Sequence, residues 1–270
     1  MIYRELTKAF TPMTAQPFRS GYREYSPCSA LKPYIRCFWT SVDQVGRLVI
    51  PDLCADVIFD VESSSTFFCG VSDESFVSMR PNETFGIRFY SWTAALFAED
   101  SLCNTLNGSF ELGEHFRRLE KELAPKLACV KTTGQRIALS EMFLINNLKE
   151  RRCGLFTEAL GEMLSMHGVC TLGEMSKRLH VSSRQLERVF SEYLGLSPKK
   201  ASMLIRYQYL WHDILSEGDF NAADKATEYG YADQSHLLKD FKKFHLVYPK
   251  QAKELAINNV AFLQDSLSEK

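Results

Sequence analysis

The chain has 270 residues, of which 45% are hydrophobic and 24% charged, with a net charge of -1. That is ordinary globular composition in a length suited to two domains, and it excludes a disordered or low-complexity chain. No run approaches the roughly 18 apolar residues of a membrane helix, and the first residues lack the basic-then-apolar layout of a secretory signal, so a cytoplasmic protein without membrane contact is expected.

Residues 1–112 read as a β-rich sensor domain, sandwich or barrel-like. The runs 47–51, 56–61, 66–71 and 85–90 are rich in β-branched and aromatic residues and are separated by Pro, Gly, Ser, Asp and Asn, as strands and turns require. A short helix is expected within 92–106. Residues 113–154 turn charged and helical in period, punctuated by Pro125 and Gly134, and form an expected linker or dimerisation region. Within it Gln135 to Lys149 offers Ile137, Phe143, Leu144 and Leu148 as a homodimer surface. A connector is expected at 151–154. The eight cysteines show no C-x-x-C pair. Scattered this way in a reducing compartment, they read as buried small apolar residues rather than disulfides, zinc ligands or redox sensors.

The segment 155–258 is the most informative, with 259–270 left as a tail. Phe156, Ala159, Leu160, Met163 and Leu164 recur at helical spacing, and Gly168 is placed to end that helix. Thr171 with Glu174, and Ser182 with Gln185, each form the pattern of a capping box. A short helix, a turn at His180 and Val181, and a second helix follow. Leu172, Met175 and Leu179 face inward on the first, and Leu186, Val189, Phe190, Tyr193 and Leu194 on the second. Gly195 ends that helix and Pro198 opens the next, expected to reach Ser216. Ala201, Leu204, Trp211, Ile214 and Leu215 lie on one side of it, and Met203, Ile205 and Tyr209 on the other. Such a helix is sandwiched between two bodies.

The pattern then repeats. Asn221 caps a helix through Tyr229, Gly230 and Tyr231 turn, and Asp233 caps a helix whose inward residues are Leu237, Phe241 and Phe244. Pro249 starts the last helix. Leu186 and Leu237, Arg188 and Lys239, Phe190 and Phe241, and Pro198 and Pro249 are each 51 positions apart. Charge follows the repeat. Residues 177–206 hold seven cations against two anions, and residues 236–253 hold five cations against one, with an acidic spacer between them.

A short helix, a tight turn and a second helix make a helix-turn-helix, whose second helix fits the major groove of double-stranded DNA. Its outward residues are then the readers: Ser183, Arg184, Glu187 and Arg188 in the first unit, and Gln234, Ser235, His236 and Lys239 in the second. Arg suits guanine, Gln adenine, and Glu the cytosine amino group. Ser197, Lys199 and Lys200 at a helix start suit phosphates.

From about Phe156 to Leu255 the chain resembles the DNA-binding domain of the AraC/XylS family of bacterial regulators. The residues that carry this are Gly230-Tyr231-Ala232-Asp233-Gln234-Ser235-His236-Leu237, Phe241-Lys242-Lys243 and Pro249, with Leu186, Arg188, Phe190, Gly195, Ser197, Pro198 and Arg206 in the first unit. It departs at Leu237 for phenylalanine, at His180 and Leu246 where glycine is common, and at Gln251-Ala252. Residues 22–150 more loosely resemble an N-terminal domain of a subset of that family, in Tyr25-Ser26-Pro27, Leu31, Tyr34-Ile35, Phe38-Trp39, Ile50-Pro51-Asp52 and Gly86-Ile87-Arg88-Phe89. The resemblance implies a promoter-binding transcription regulator without enzymatic activity. It would present two recognition helices, joined by the Pro198 to Ser216 helix, to successive major-groove segments. It also implies an activator that would meet RNA polymerase.

No cofactor or metal is expected. A small-molecule effector would sit among Phe59, Phe67, Phe89, Tyr90 and Trp92. The alternatives are a ligand-independent regulator or adaptor controlled by protein partners, and a cupin-like metalloenzyme fused to a DNA-binding domain. The last is disfavoured because the first histidine is His115 and Asp52, Cys54 and Asp56 read as strand-edge or turn residues.

Overall fold

The computed structural model describes residues 2–15, 21–43, 45–149, 154–217 and 220–258. The expected connector at 151–153, with Cys153, and the tail 259–270 lie outside them. The first half runs α1 (Ile2–Ala9), β1 (Tyr22–Tyr25), β2 (Ile35–Ser41), β3 (Arg47–Val49), β4 (Cys54–Asp60), β5 (Thr66–Cys69), β6 (Phe76–Ser78), β7 (Thr84–Tyr90), α2 (Ser91–Ala94), β8 (Ser109–Glu111) and α3 (Leu112–His115). A π-helical turn (Leu119–Leu123), α4 (Ala124–Ala128) and α5 (Thr133–Asn147) complete it. The second half is helical: α6 (Gly154–Ser165), α7 (Leu172–Arg178), α8 (Ser183–Leu194), α9 (Pro198–Ser216), α10 (Ala222–Glu228), α11 (Gln234–His245) and α12 (Pro249–Asn258). The class is α+β, an antiparallel sheet domain followed by a helical one, as the sequence predicts.

Six strands form one antiparallel sheet in the order β1-β2-β7-β4-β5-β8, and β3 pairs with β6 in a second. Strand alternation gives the large sheet two faces. Ala55, Val57 and Phe59 on β4 and Phe85, Ile87 and Phe89 on β7 join the main core. Cys37, Trp39 and Ile58 form a separate cluster on the opposite face. A register shift between Ile35 and Cys37 resets β2, so Ile35 joins the main core while Cys37 faces the other way. The Trp39 indole lies over Gly86, where an added Cβ would sit 2.0 Å from the ring.

The helix expected at 92–106 is a single turn, α2. The helical stretch 113–149 does not swing free. Leu144 is fully buried, Arg136 donates to the Val130 carbonyl at 3.1 Å, and Glu141 accepts from the Cys28 amide at 2.6 Å. Burial of Leu144 removes it from the expected dimer surface, and Ile137, Phe143 and Leu148 are half-buried. The apolar residues left outward are Met142 and Ile145. The cysteine expectation also needs correction. Cys37 and Cys54 are buried, Cys28, Cys69, Cys103 and Cys170 are half-buried, and Cys129 is exposed. Burial pushes the Cys37 thiol up to about 12, far from a reactive thiolate.

α1 lies outside the elements expected from the sequence. Tyr3 and Leu6 bury its inner side, and it packs on α6. The arm that follows belongs spatially to the helical half. Gln208 on α9 donates to the carbonyls of Met13 at 3.2 Å and Pro51 at 2.7 Å, and Trp211 Nε1 donates to the Thr14 carbonyl at 3.1 Å. α9 is therefore sandwiched, as its apolar surround predicts.

Candidate nucleic-acid interface

The two second helices are built by local chemistry that the sequence announces. On α8, Ser182 accepts from the Gln185 amide at 3.3 Å and Gln185 accepts from the Ser182 amide at 2.9 Å, closing the capping box. Gly195 ends the helix at φ +70°. On α11, Asp233 accepts from the His236 amide at 2.7 Å. The first helices α7 and α10 are capped in the same way by Thr171 and Asn221. Gly168, at φ +74°, lets the end of α6 cross α9, because an added Cβ would lie 2.3 Å from the Ser202 carbonyl oxygen.

Both second helices bury one face only. Leu186, Val189, Phe190, Tyr193 and Leu194 are buried on α8, and Leu237, Phe241, Phe244 and His245 on α11. Ser183, Arg184, Glu187 and Arg188 are all exposed, and so are Gln234, Ser235, His236 and Lys239. Among the described residues, Arg184, Arg188 and Lys239 form no ion pair, which leaves three cations available to an outside partner. Ser183 contacts Ser176 at 3.1 Å across the first turn. Ser197 serves as the α9 cap, accepting from the Lys200 amide at 3.3 Å. Lys199 is exposed, whereas Lys200 is held by Asp73 of the sheet domain at 2.6 Å.

The acidic spacer has a structural use that sequence reading missed. Lys225, only 8% exposed, meets Asp213 at 2.7 Å, Glu217 at 2.7 Å and Glu228 at 3.0 Å. Burial opposes its charge, but these hydrogen bonds outweigh that and hold its pKa above the ordinary lysine value. The hub ties α10 to α9. Arg206 makes a second tie, with Asp240 at 3.7 Å and with its guanidinium over the Tyr231 ring at 4.3 Å. A third is His245, whose Nδ1 lies 2.8 Å from the Tyr207 hydroxyl. Burial pulls its pKa down to about 3, so the ring is neutral.

The sheet domain holds a cavity of about 440 Å³ between the outer face of the large sheet and the β3–β6 pair. That is the size of a small-molecule site. At its floor Arg88 Nε donates to Asp56 Oδ1 at 3.0 Å and its NH2 donates to Asp56 Oδ2 at 3.1 Å, while NH1 lies 3.5 Å from Asp52. Trp39 Nε1 also donates to Asp56, at 2.8 Å. Burial raises the Asp52 pKa against the lowering effect of Arg88.

None of Phe59, Phe67, Phe89, Tyr90 and Trp92 lines this cavity. Phe59 and Phe89 have the wrong strand parity, Tyr90 and Trp92 stack on each other in the core at 5.1 Å, and Phe67 lies outside the lining under Arg80. Cys54 and Asp56, read as edge or turn residues, stand instead on β4, a central strand paired with both β5 and β7. The two carboxylates are engaged by a guanidinium, and no group of three His, Cys, Asp or Glu among the described residues is arranged to hold a metal.

A family model described as a helix-turn-helix domain matches residues 175–254, which spans both units. The C-terminal region is an AraC-type helix-turn-helix domain. Such a domain makes the chain a DNA-binding transcription regulator. Residues 23–109 match a second family, described as a domain of unknown function (DUF6597). No curated protein matches the chain. Among solved structures, ToxT from Vibrio cholerae O395 aligns over 91% of this chain and 92% of its own at 13% identity, with a TM-score of 0.38. A second ToxT structure, bound to (E)-4-(8-methylnaphthalen-1-yl)but-3-enoic acid, aligns over 83% of this chain and 94% of its own at 13% identity and 0.40. Likenesses at these scores carry no weight for the function of this chain. No helix among the described residues is long and apolar enough to cross a membrane.

Proposed function

We propose that the protein reads a bipartite promoter sequence with α8 and α11 in successive major-groove segments, α9 setting the spacing between them. Arg184, Arg188 and Glu187, with Ser183, address base edges in one half-site, and Gln234, Ser235, His236 and Lys239 address the other. Ser197, Lys199 and Lys200 hold phosphates. The observation that supports this most is the repetition of one face. Two helices whose caps are 51 residues apart each bury an apolar stripe and leave the opposite polar stripe exposed.

Selection from a random duplex library tests it. The expected motif has two halves roughly 10 base pairs apart, centre to centre. Arg184→Ala or Arg188→Ala should relax one half by about 1–3 kcal/mol, and Gln234→Ala or Lys239→Ala the other. A motif that every one of these variants leaves intact would remove the assignment.

The same reading makes the protein a cytoplasmic activator that meets RNA polymerase, with an effector seated in the 440 Å³ cavity rather than among the core aromatics. The outward Met142 and Ile145 of α5 give a homodimer its surface, and sedimentation as a monomer at high concentration would exclude that surface.

A further inference from the structure

The loop 72–75, between β5 and β6, touches three things at once. It walls the cavity through Ser72, Glu74 and Ser75. It reaches the start of α9, where the Asp73 carboxylate takes the Lys200 ammonium at 2.6 Å. It also reaches the second unit, where the Ser75 hydroxyl donates to the Phe244 carbonyl near the end of α11.

One residue sets its shape. Asn107, itself in the cavity lining, accepts from the Ser72 hydroxyl and the Asp73 amide, both at 2.9 Å, and donates to Asp73 Oδ1 at 2.6 Å. Although burial opposes it, hydrogen bonding from Lys200 and Asn107 holds the Asp73 carboxyl below the usual carboxylate range, so it is charged at neutral pH. Lys200 lies in the first turn of α9, the place where a helix start and an ammonium together attract a phosphate. A carboxylate already fills that place. It also brings a negative charge to a surface that must approach the DNA backbone.

We propose that loop 72–75 is an autoinhibitory strap: Asp73 occupies the phosphate position at Lys200, Ser75 pins α11, and Asn107 holds both engaged from the cavity wall. This rests on the DNA-binding reading above. It adds that the cavity and the DNA surface share one loop, so a molecule seated against Asn107 acts directly on the strap.

The test uses the full chain and a fixed non-specific duplex, with affinity read across a salt series. Asp73→Asn should bind about three- to tenfold tighter, with a salt slope steeper by about 0.9, the signature of Lys200 neutralising one further phosphate. That tightening should vanish when Lys200→Ala is also present. If it survives in the Lys200→Ala background, it reflects plain removal of a negative charge and overturns the strap. Ser75→Ala and Asn107→Ala should each tighten binding while leaving Lys200 in place; unchanged affinity in both, with Asp73→Asn also unchanged, overturns it equally. The two readings fail differently. If the motif selected from the duplex library is left intact by Arg184→Ala and Arg188→Ala, DNA readout falls and the strap with it. If those variants relax the motif but Asp73→Asn changes nothing, only the strap falls.

Discussion

The two helix-turn-helix units are near copies that solve the same backbone problem at opposite ends. Each needs a left-handed residue in the turn and another after its second helix. The first unit uses His180 at φ 53° in the turn and Gly195 at φ 70° at the end. The second uses Gly230 at φ 64° in the turn and Leu246 at φ 64° at the end. Each unit thus places glycine at one site and tolerates a side chain at the other. The register differs too. The second helices start 51 residues apart, at Ser183 and Gln234, but the first helices start 50 apart, at Leu172 and Ala222. The second turn is therefore one residue longer. The second unit also carries the buried charge hub at Lys225 and the buried neutral His245, neither of which has a counterpart in the first. Its stability should depend more on polar chemistry, and that of the first on its caps and apolar stripe.

The largest break in this comparison is Lys225→Ala. It leaves Asp213, Glu217 and Glu228 facing one another without a cation, and should destabilise the domain by about 2 to 3 kcal/mol. Hydrogen exchange should show α10 and α11 opening first; equal opening of α7 and α8 would erase the asymmetry.

Next in size, over the first pH unit below 6.5, is the pH dependence that His245 gives the second unit. The folded His245 ring stays neutral down to about pH 3, whereas an unfolded histidine protonates near its ordinary 6.5. Because the folded pKa is the lower one, stability is full above about pH 6.5 and is lost as pH falls toward 3, by up to about 1.4 kcal/mol per pH unit. Denaturant unfolding of His245→Gln across that window should lose this slope.

The smallest effect sharpens the comparison from the other side. Leu246→Gly and His180→Gly should each raise stability by roughly 0.5 to 1 kcal/mol, since a left-handed φ strains any side chain. Thermal unfolding that shows both variants weakened would mean that these side chains pack well enough to outweigh the strain.

The helical half was legible because its information is local. A cap and its partner stand three residues apart, and a buried stripe recurs within one helix, so Thr171, Ser182, Asn221 and Asp233 all cap where the sequence places them. The cavity was not legible, because both faces of β4 and β7 are enclosed and hydrophobicity alone does not alternate. Choosing aromatics then selects the core face. The available signal was charge at period two: Asp52, Asp56 and, on β7, Arg88 stand in apolar surroundings where only mutual pairing makes burial tolerable. The Lys225 hub was hidden in the same way. Its carboxylates count as a spacer in the sequence, and only folding brings Asp213, Glu217 and Glu228 onto one ammonium. The α1 arm was not expected from the sequence: Tyr3, Leu6 and Phe10 do recur at helical spacing, but nothing in that spacing names α6 and α9 as its partners.

That arm has a kinetic consequence. The bond from the Met13 amide to Gln208 Oε1 closes a separation of 195 residues. During synthesis residues 2–15 emerge long before the helices that cover them. At roughly 5 to 20 residues per second the delay is on the order of 10 to 40 s. Through that interval Tyr3 and Phe10 can meet only their sheet-domain neighbours Tyr34 and Trp92, while Leu6 waits for α6 and the arm's backbone bonds wait for α9, so the arm locks in two stages separated by the making of the helices.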